Sequence, residues 1–218
     1  EARERVRAAI KNSGLEFPRL KTVVNLGPAN LRKHGSFYDV PIAVSILANK
    51  NNFLVDLQKT VFMGELSLSG ELCPVLGVLP ALIEARSLGI EAAYVPAENS
   101  LEAAASGLKV FPVKNLKSLI MSLCRGLILP PVVRMEFEGR LGFSEKFDMA
   151  LIRGQKQAKR GLEIAVAGGH NILMVGPPGS GKTMLAKSLI SVMPSLSEEE
   201  SLELTKIYSV AGLLLKSS

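Results

Sequence analysis

The sequence predicts an α/β protein made of two units. Over residues 1–124, short apolar runs alternate with amphipathic helical patterns, which is typical of a sheet with helices packed on it. Residues 125–147 interrupt this alternation with Pro130-Pro131 and scattered charges, as a connector between domains would. At residues 171–190 an apolar run, a glycine-rich loop and a helical pattern follow one another, which indicates a second α/β unit.

The first unit is expected to open with a helix. Ala2, Val6, Ala9 and Ile10 are apolar at helical spacing, and Gly14 can end the helix. The same periodicities predict a mixed sheet with helices around it. Strands are expected at residues 21–26, 92–95 and 109–113, a hairpin at 62–68 and 71–75 around Ser69-Gly70, and helices at 41–48, 79–87, 101–105 and 116–124, the last capped by Asn115.

The second unit is expected to be organised around one buried strand. Residues 172–175 form a continuous apolar run, as expected of a parallel strand that is covered on both faces. The connector before this unit carries at most a short strand, at residues 132–137. Helices are expected at residues 155–167, 184–190 and 198–208, and a capping box at Ser197-Glu198-Glu199-Glu200 opens the last of them.

The glycine-rich loop predicts a phosphate-binding site, because it fits the pattern G-x-x-x-x-G-K-[ST] at every position. Its glycines allow restricted backbone angles, so that N–H groups can surround an anion. The lysine can reach the β- and γ-phosphates of ATP, and the threonine hydroxyl can bind Mg²⁺. We therefore expect Lys182 and Thr183 to carry the chemistry, with Thr183 as the metal ligand. The expected contacts of ATP are Gly176, Pro177, Pro178, Gly179, Ser180, Gly181, Lys182 and Thr183.

Composition narrows the class of protein further. No apolar run approaches the roughly 20 residues that a membrane span needs, and the charged start argues against a signal peptide. Cys73 and Cys124 lack the spacing of a metal site. We therefore expect a cytoplasmic protein with reduced thiols and no membrane partner. The net charge of +6 favours an anionic partner, for which ATP and nucleic acid both qualify.

Stretches in both halves resemble one family, the ComM (YifB) family of magnesium-chelatase-like AAA+ ATPases. The resemblance covers nearly the whole chain, and the pairing of the two halves is more specific than either half alone. The stretches that carry it are residues 1–10, Val24-Asn-Leu, Asp39-Val-Pro-Ile-Ala, residues 64–71, residues 152–171 running into the glycine-rich loop, Pro194-Ser-Leu-Ser-Glu-Glu-Glu and Ser209-Val-Ala-Gly.

The resemblance implies a domain order and an activity. Residues 1–124 would be a Lon-protease-like domain of the ribosomal-S5-domain-2 type, truncated at its N-terminus. Residues 125–147 would be a linker, and residues 148–218 would begin a P-loop AAA+ α/β domain, with Ile152 and Gly154 near the adenine. The family implies cytosolic homo-hexamers that use ATP and Mg²⁺ to drive branch migration of DNA during recombination.

Two departures from the family pattern limit these expectations. A Lon-type protease needs a serine activated by a lysine, yet Asp39 falls near the nucleophile position, and Leu79 and Ala81 fall where the lysine belongs. Ser36 lies nearby but lacks its lysine, so we expect a non-proteolytic domain. No apolar strand ending in paired acids follows the glycine-rich loop. We expect the Walker B acids, the sensor and the arginine finger beyond Ser218, and little ATP turnover from this chain alone.

Other functions remain open at this stage. A chelatase-like remodeller of another protein would need the same phosphate loop as a DNA motor. An ATP-dependent Lon-like protease is a second alternative, and residues 1–124 could serve only in assembly or docking. The basic residues Arg153, Lys156, Lys159 and Arg160 are interpreted as a solvated helix face or a subunit contact, with a DNA site as the alternative.

Overall fold

A computed structural model describes residues 2–19, 22–27, 37–126, 129–132 and 147–214. The chain divides into two compact units, which are described separately. The first comprises residues Glu1–Arg134 with Glu199–Ser218, and the second comprises residues Met135–Glu198.

The first unit contains most of the regular structure. Its helices are α1 (Ala2–Asn12), α2 (Asp39–Ala48), α3 (Val78–Ser87), α4 (Ser100–Ala104), α5 (Leu116–Arg125) and α8 (Glu198–Ala211, whose first residue falls in the second unit). Its strands are β1 (Thr60–Phe62), β2 (Glu65–Leu66), β3 (Leu72–Cys73), β4 (Ala92–Pro96) and β5 (Lys109–Val113). Short 3₁₀ turns precede β1 and α4.

The sheet of this unit is parallel and has the order β1-β4-β5. Val61 pairs with Ala93, and Ala93 pairs with Val110, which fixes the register across all three strands. Strands β2 and β3 form a separate antiparallel hairpin. Helix α3 lies in the connection from β1 to β4 and α4 in that from β4 to β5, as parallel pairing requires.

The core of the first unit lies on both sides of this sheet. One apolar cluster joins α1, α2, α5 and the hairpin, with Ile10, Leu47 and Leu119 fully buried. The other cluster joins α3 and α4 to β4 and β5 around Val78 and Leu82. On the first side the rings of Phe62, Tyr94 and Phe111 stack across the three strands, with centroids 5.3 and 4.9 Å apart.

The second unit consists of helices and loops over its described residues. A 3₁₀ turn (Met149–Leu151) leads to α6 (Lys156–Ala167), and α7 (Lys182–Ser188) continues into a second 3₁₀ turn (Leu189–Val192). Its small core is formed by Met149, Ile152, Leu162 and Leu185. Residues 171–177, between α6 and α7, have no regular secondary structure.

Most predicted helices are confirmed within one to three residues at each end. The Asn115 side chain caps α5 as expected, because its Oδ1 accepts a hydrogen bond from Ser118 N at 2.8 Å. Strands β4 and β5 also lie where they were predicted. The coarser prediction of an α/β fold is therefore confirmed.

Three strand predictions need correction. The run at 62–68 is not one strand, because Gly64 takes a φ of 146° and separates β1 from the hairpin. A Cβ at Gly64 would lie 3.1 Å from the side chains of Pro96 and Val40, so glycine permits this close approach. The hairpin therefore does not join the sheet, and the expected mixed sheet is replaced by a parallel sheet beside a hairpin.

The other two corrections concern residues 22–26 and 172–175, which carry no strand. A β-strand is assigned where the backbone forms hydrogen bonds with a neighbouring strand. Among the described residues, neither apolar run has a neighbouring strand with which to form them. The first of these predicted strands began at Lys21, which lies outside the described residues. The predicted connector strand was 132–137. Val132 is described and is not in a strand, and residues 133–137 lie outside the described residues.

Candidate functional site

The glycine-rich loop forms a turn between residues 171–175, which have no regular secondary structure, and the start of α7. Gly179 and Gly181 take the left-handed conformation, with φ of 79° and 85°, which favours glycine. Gly176 has no such angle. The hydrogen bond from Leu185 N to Gly181 O, 2.9 Å long, begins the helix directly after the second of these turns. Two of the three glycines therefore have the conformational role expected of them.

The Lys182 ammonium lies inside this turn. Its Nζ donates to the carbonyl oxygens of Gly176 and Pro177, both at 2.8 Å, and to Ser180 Oγ at 3.2 Å. These acceptors come from the loop itself, so the loop is wrapped around its own cation. An incoming anion would meet a positive charge that is already surrounded by the loop.

The other loop residues are open to solvent. Pro177, Pro178, Gly179 and Thr183 are exposed, and Ser180 is half-buried. Among the described residues no group of three or more His, Cys, Asp or Glu side chains could hold a metal ion. The Thr183 hydroxyl nevertheless suits Mg²⁺ that arrives with a nucleotide, because that ion takes most of its ligands from phosphates and water.

A cleft of about 400 Å³ lies beside the loop. One wall of the cleft is formed by the start of α6. The opposite wall is formed by residues 172–175 and the glycine-rich loop. Its lining residues are Gln155, Gln157, Ala158, Gly161, Ile172, Leu173, Met174, Val175, Gly176, Pro177, Ser180, Lys182 and Leu185. The cleft thus places amide and apolar groups next to a loop with a central ammonium group.

The structure brings some of the predicted site residues together in this cleft and leaves others outside it. Gly176, Pro177, Ser180 and Lys182 are part of the lining. Ile152 and Gly154, which the family resemblance places near adenine, are not among the lining residues. Ile152 is buried in the core of the second unit.

The segment that enters α6 is tightly held. Gly154 and Gln155 are both left-handed, with φ of 72° and 53°, and Gln155 is the one non-glycine residue with a positive φ in the described part of the chain. The Gln155 Nε2 lies 3.4 Å from Ser180 O, so the beginning of α6 faces the loop. A left-handed glutamine carries a cost of about 1–2 kcal/mol, which marks this segment as constrained.

Lys159 anchors the same segment from within α6. Its Nζ donates to Met149 O at 2.9 Å and to Ile152 O at 2.5 Å. Lys159 is half-buried, whereas Arg153, Lys156 and Arg160 are exposed. The interpretation of these four basic residues as one solvated face therefore does not hold for Lys159, which binds backbone carbonyls.

The apolar run before the loop is uncovered in this unit. Leu173 and Val175 are 86% and 88% exposed, although a strand covered on both faces was expected. Met174 alone packs against the core of the unit. His170, in the preceding turn, is exposed as expected of a loop residue.

The residues weighed for proteolysis lie in the first unit. Asp39 is 1% exposed and accepts hydrogen bonds from Arg5 and from Leu66 N. Leu79 is buried in the core, Ala81 is exposed, and Ser36 lies outside the described residues. Asp39 is therefore an anchor that joins α1, α2 and β2.

Several residues of the cleft wall were missed by reading the sequence. Gln155, Gln157 and Gly161 belong to no motif that predicts contact with the loop. A signal was present in the Gly154-Gln155 pair, where a glycine directly precedes a helical pattern and indicates an unusual backbone at the helix start. The contact itself depends on how α6 packs, which periodicity does not specify.

Among the residues that the structure describes, no helix is long and apolar enough to cross a membrane. This finding agrees with the absence of a long apolar run in the sequence.

Two family models match the chain, one in each half. The model described as "Subunit ChlI of Mg-chelatase" matches residues 1–99. The model described as "Magnesium chelatase, subunit ChlI" matches residues 148–218, which include the whole glycine-rich loop. The two matches together cover residues 1–99 and 148–218 of the chain.

Full-length relatives resemble the chain throughout. The chain is 38% identical to the protein YifB of Escherichia coli over 213 residues and 37% identical to the competence protein ComM of Haemophilus influenzae over 214 residues. It is 42% identical to an uncharacterized protein of Mycobacterium tuberculosis over 221 residues. These alignments cover 96–98% of the chain but 42% of each relative, so the chain spans less than half the length of the relatives it matches.

Proposed function

We propose that residues 148–218 bind ATP with Mg²⁺ at the glycine-rich loop. The first reason is that this chain belongs to the ComM/YifB family of magnesium-chelatase-like AAA+ proteins. The observation that carries the proposal is the Lys182 ammonium inside the loop, within 2.8 Å of two loop carbonyls. A single cation surrounded by backbone at the edge of a cleft suits a polyphosphate, whose charge would replace those carbonyls as its partner.

Each loop residue has a defined part in this proposal. The backbone of residues 176–181 would surround the phosphates, and Lys182 would stabilise charge on the γ-phosphate. Thr183 would give one hydroxyl ligand to Mg²⁺, which polarises the phosphates when it is bound. Ile152 and Gly154 would lie on the adenine side of the nucleotide, as the family resemblance implies.

The whole protein is proposed to be an ATP-driven motor on DNA. Support comes from the relative named as a competence protein, since competence concerns the uptake of DNA. We propose a homo-hexameric ring that couples ATP hydrolysis to branch migration of DNA during recombination. The net charge of +6 is compatible with a DNA partner.

The first unit is proposed to be a non-proteolytic Lon-like domain of the ribosomal-S5-domain-2 type, formed by residues 1–124. Its support is the state of Asp39, which is buried and paired with Arg5 at the position where a protease would carry its nucleophile. A carboxylate held in this way serves packing and assembly. Casein digestion by the intact protein, lost on Ser36→Ala, would show instead that the domain is an active protease.

The test of the motor is ATP hydrolysis by the intact protein with and without branched DNA. We expect branched DNA to stimulate hydrolysis and Lys182→Ala to abolish it. Lys187→Ala is the matched control, because it removes the same charge from the same helix at an exposed position outside the cleft. An ATPase that ignores every DNA substrate would overturn the DNA motor while leaving nucleotide binding intact.

A second candidate is a remodeller that acts on a partner subunit during metal insertion. The observation that favours it is the description of both matching family models as the ChlI subunit of magnesium chelatase. Capture of a large metal-insertion subunit by the intact protein, together with an ATPase that DNA does not stimulate, would support it. Loss of that capture in Lys182→Ala would tie the interaction to nucleotide.

By themselves, these 218 residues are proposed to bind nucleotide weakly and to turn it over little. Residues 198–200 begin helix α8, and the sequence shows no apolar strand ending in paired acids after the loop. Substantial hydrolysis by this chain alone, abolished by Lys182→Ala, would contradict this part of the proposal.

A further inference from the structure

Lys159 makes a contact that a solvent-facing helix residue would not make. The side chain leaves α6 and reaches back over the turn that precedes the helix. There its ammonium donates to Met149 O and Ile152 O, which stand at the two ends of the 3₁₀ turn. Met149 O also accepts a hydrogen bond from Ile152 N at 3.3 Å, so Lys159 adds a second donor to the turn and supplies one to the carbonyl that follows it.

The turn that Lys159 holds is fixed from other directions as well. Met149 N donates to Ser191 Oγ at 3.0 Å, and Ala150 N donates to Asp148 Oδ1 at 2.8 Å. The side chains of Met149 and Ile152 are buried in the core of the second unit. Lys159 is therefore the cationic side chain in a set of contacts whose other described members are the Asp148 carboxylate, the Ser191 hydroxyl and apolar groups.

The fixed turn leads directly into the wall of the cleft. Only Arg153 and Gly154 separate Ile152 from Gln155, and both Gly154 and Gln155 are left-handed. Gln155 lines the cleft and faces Ser180 of the glycine-rich loop. A displacement of the turn would thus be passed within three residues to the cleft wall.

We propose that Lys159 is a positioning residue for nucleotide binding, because it holds the turn at residues 149–152, which leads within three residues into the cleft wall at Gln155. The inference rests on the proposed binding of ATP at the glycine-rich loop and deepens it. Lys159 does not touch the nucleotide. It acts through the backbone of the turn, whereas Lys182 acts on the phosphates.

Because Lys182 and Lys159 act on different parts of the site, their loss should affect the affinities for two ligands differently. Tripolyphosphate presents the phosphates without the nucleoside, so it depends on the loop and on Lys182. ATP also has a nucleoside, which would depend on the cleft wall that begins at Gln155. Loss of the Lys159 contacts should therefore weaken ATP and spare tripolyphosphate, while loss of Lys182 should weaken both.

The experiment compares variants of the intact protein by calorimetric titration with ATP and, separately, with tripolyphosphate. Lys159→Met keeps the length and apolar stem of the side chain and removes the donors. Lys159→Arg keeps donors that can reach two carbonyls. Lys156→Met is the matched control, since it removes the same charge from an exposed position one turn earlier in α6.

We expect Lys159→Met to weaken ATP about tenfold, which is the effect of roughly one lost interaction of ordinary strength. Tripolyphosphate should change less than twofold, Lys159→Arg should bind ATP within about threefold of wild type, and Lys156→Met should equal wild type. The melting temperature of each variant is measured in parallel so that ligand-specific loss is separated from unfolding.

Three results would overturn the inference. Unchanged ATP affinity in a folded Lys159→Met variant would show that the turn needs no charged anchor. Equal loss of ATP and tripolyphosphate would place the effect in the loop or in the fold as a whole, and equal loss in Lys156→Met would assign it to net charge. If wild type binds neither ligand, the proposed nucleotide site itself fails, which is a different result from an insensitive variant.

Should tripolyphosphate bind wild type too weakly to titrate, the pair Lys159→Met and Lys159→Arg decides the question with ATP alone. Rescue of ATP affinity by arginine, with methionine defective and both variants folded, supports the positioning role. Failure of arginine to improve on methionine would contradict it.

Discussion

The Nζ atom of Lys182 lies 2.8 Å from the carbonyl oxygen of Gly176, so the lysine and the first glycine of the loop are in direct contact across the turn. The two residues are six positions apart in the sequence. The Lys182 ammonium is therefore hydrogen-bonded to the backbone of its own loop. When a polyphosphate binds, phosphate oxygens would replace these carbonyls as the partners of the ammonium.

Alanine at Gly179 or Gly181 is expected to weaken ATP binding about tenfold. Both positions are left-handed, and an added Cβ would meet no atom within 4 Å, so the cost is backbone strain of about 1–2 kcal/mol. Calorimetric titration of the intact protein measures the change. Gly176→Ala is the comparison, because that residue has no positive φ and its Cβ would lie 3.2 Å from Ser180 Oγ. A larger loss at Gly176 than at the other two would contradict the argument from strain.

Asp39→Ala is expected to destabilise the protein by about 3–5 kcal/mol. Asp39 is 1% exposed and accepts from Arg5 Nε at 2.6 Å and from Leu66 N, so its removal leaves a charged and a neutral donor without this acceptor. Urea unfolding followed by circular dichroism gives the change. Lys50→Ala breaks the exposed pair with Glu16 and should cost less than about 1 kcal/mol. A cost at Asp39 no larger than at Lys50 would show that the buried pair is dispensable.

Asn99→Ala is expected to cost about 1–3 kcal/mol. The amide of Asn99 accepts from Val75 N at 3.0 Å and donates to Val75 O at 2.9 Å, so alanine would leave two buried backbone groups without this partner. Asn12→Ala is the control, because the Asn12 amide donates to Leu68 O at an exposed site. The free energies of unfolding of the two variants are compared in urea, and equal values would argue against a structural role for the Asn99 pair.

Ionisation of the Tyr94 phenol is expected to reduce the free energy of unfolding at high pH. Burial raises the pKa of this phenol above its ordinary value of 10.0, against a smaller opposing effect from its hydrogen bond with Ser122. Because the folded pKa is above the unfolded pKa, the stabilisation is complete below pH 10.0 and is lost as the pH rises through the folded pKa.

The measurement is urea unfolding at pH 8, 10 and 11 for wild type and Tyr94→Phe. Phenylalanine keeps the stack with Phe62 and Phe111 but has no proton to lose, so the variant should lose less stability than wild type between pH 10 and pH 11. Identical slopes in the two proteins would assign the alkaline loss to other groups.

Local patterns in the sequence predicted helices and turns well. Helix α5 and its Asn115 cap follow from residues within one turn of each other, whereas α7 begins two residues before the predicted position 184. Strand partners were predicted less well. Phe62 was assigned to the hairpin, but its partner is Tyr94, more than 30 residues away, and no local periodicity carries that information.

In the candidate site, too, the features set by local sequence were predicted, and the contacts between distant segments were not. The spacing of Gly176, Gly181, Lys182 and Thr183 was enough to predict a phosphate-binding loop. The opposite wall of the cleft was not predicted, because Gln155 comes to Ser180 only through the packing of α6. Lys159 was grouped with its basic neighbours by charge, yet its contact with two carbonyls depends on where the preceding turn lies.

By itself, the sequence determined the order of the helices, the glycine-rich loop and the likeness to one family, because each of these depends on residues that are near one another in the chain. Tertiary structure alone decided that Asp39 is paired with Arg5, that Lys159 anchors a turn, and that the sheet is parallel and separate from the hairpin. The physical reason is that a hydrogen bond or an ion pair between distant segments requires both segments to be placed by the packing of the core, and hydrophobic packing is not directional enough to be read from one segment.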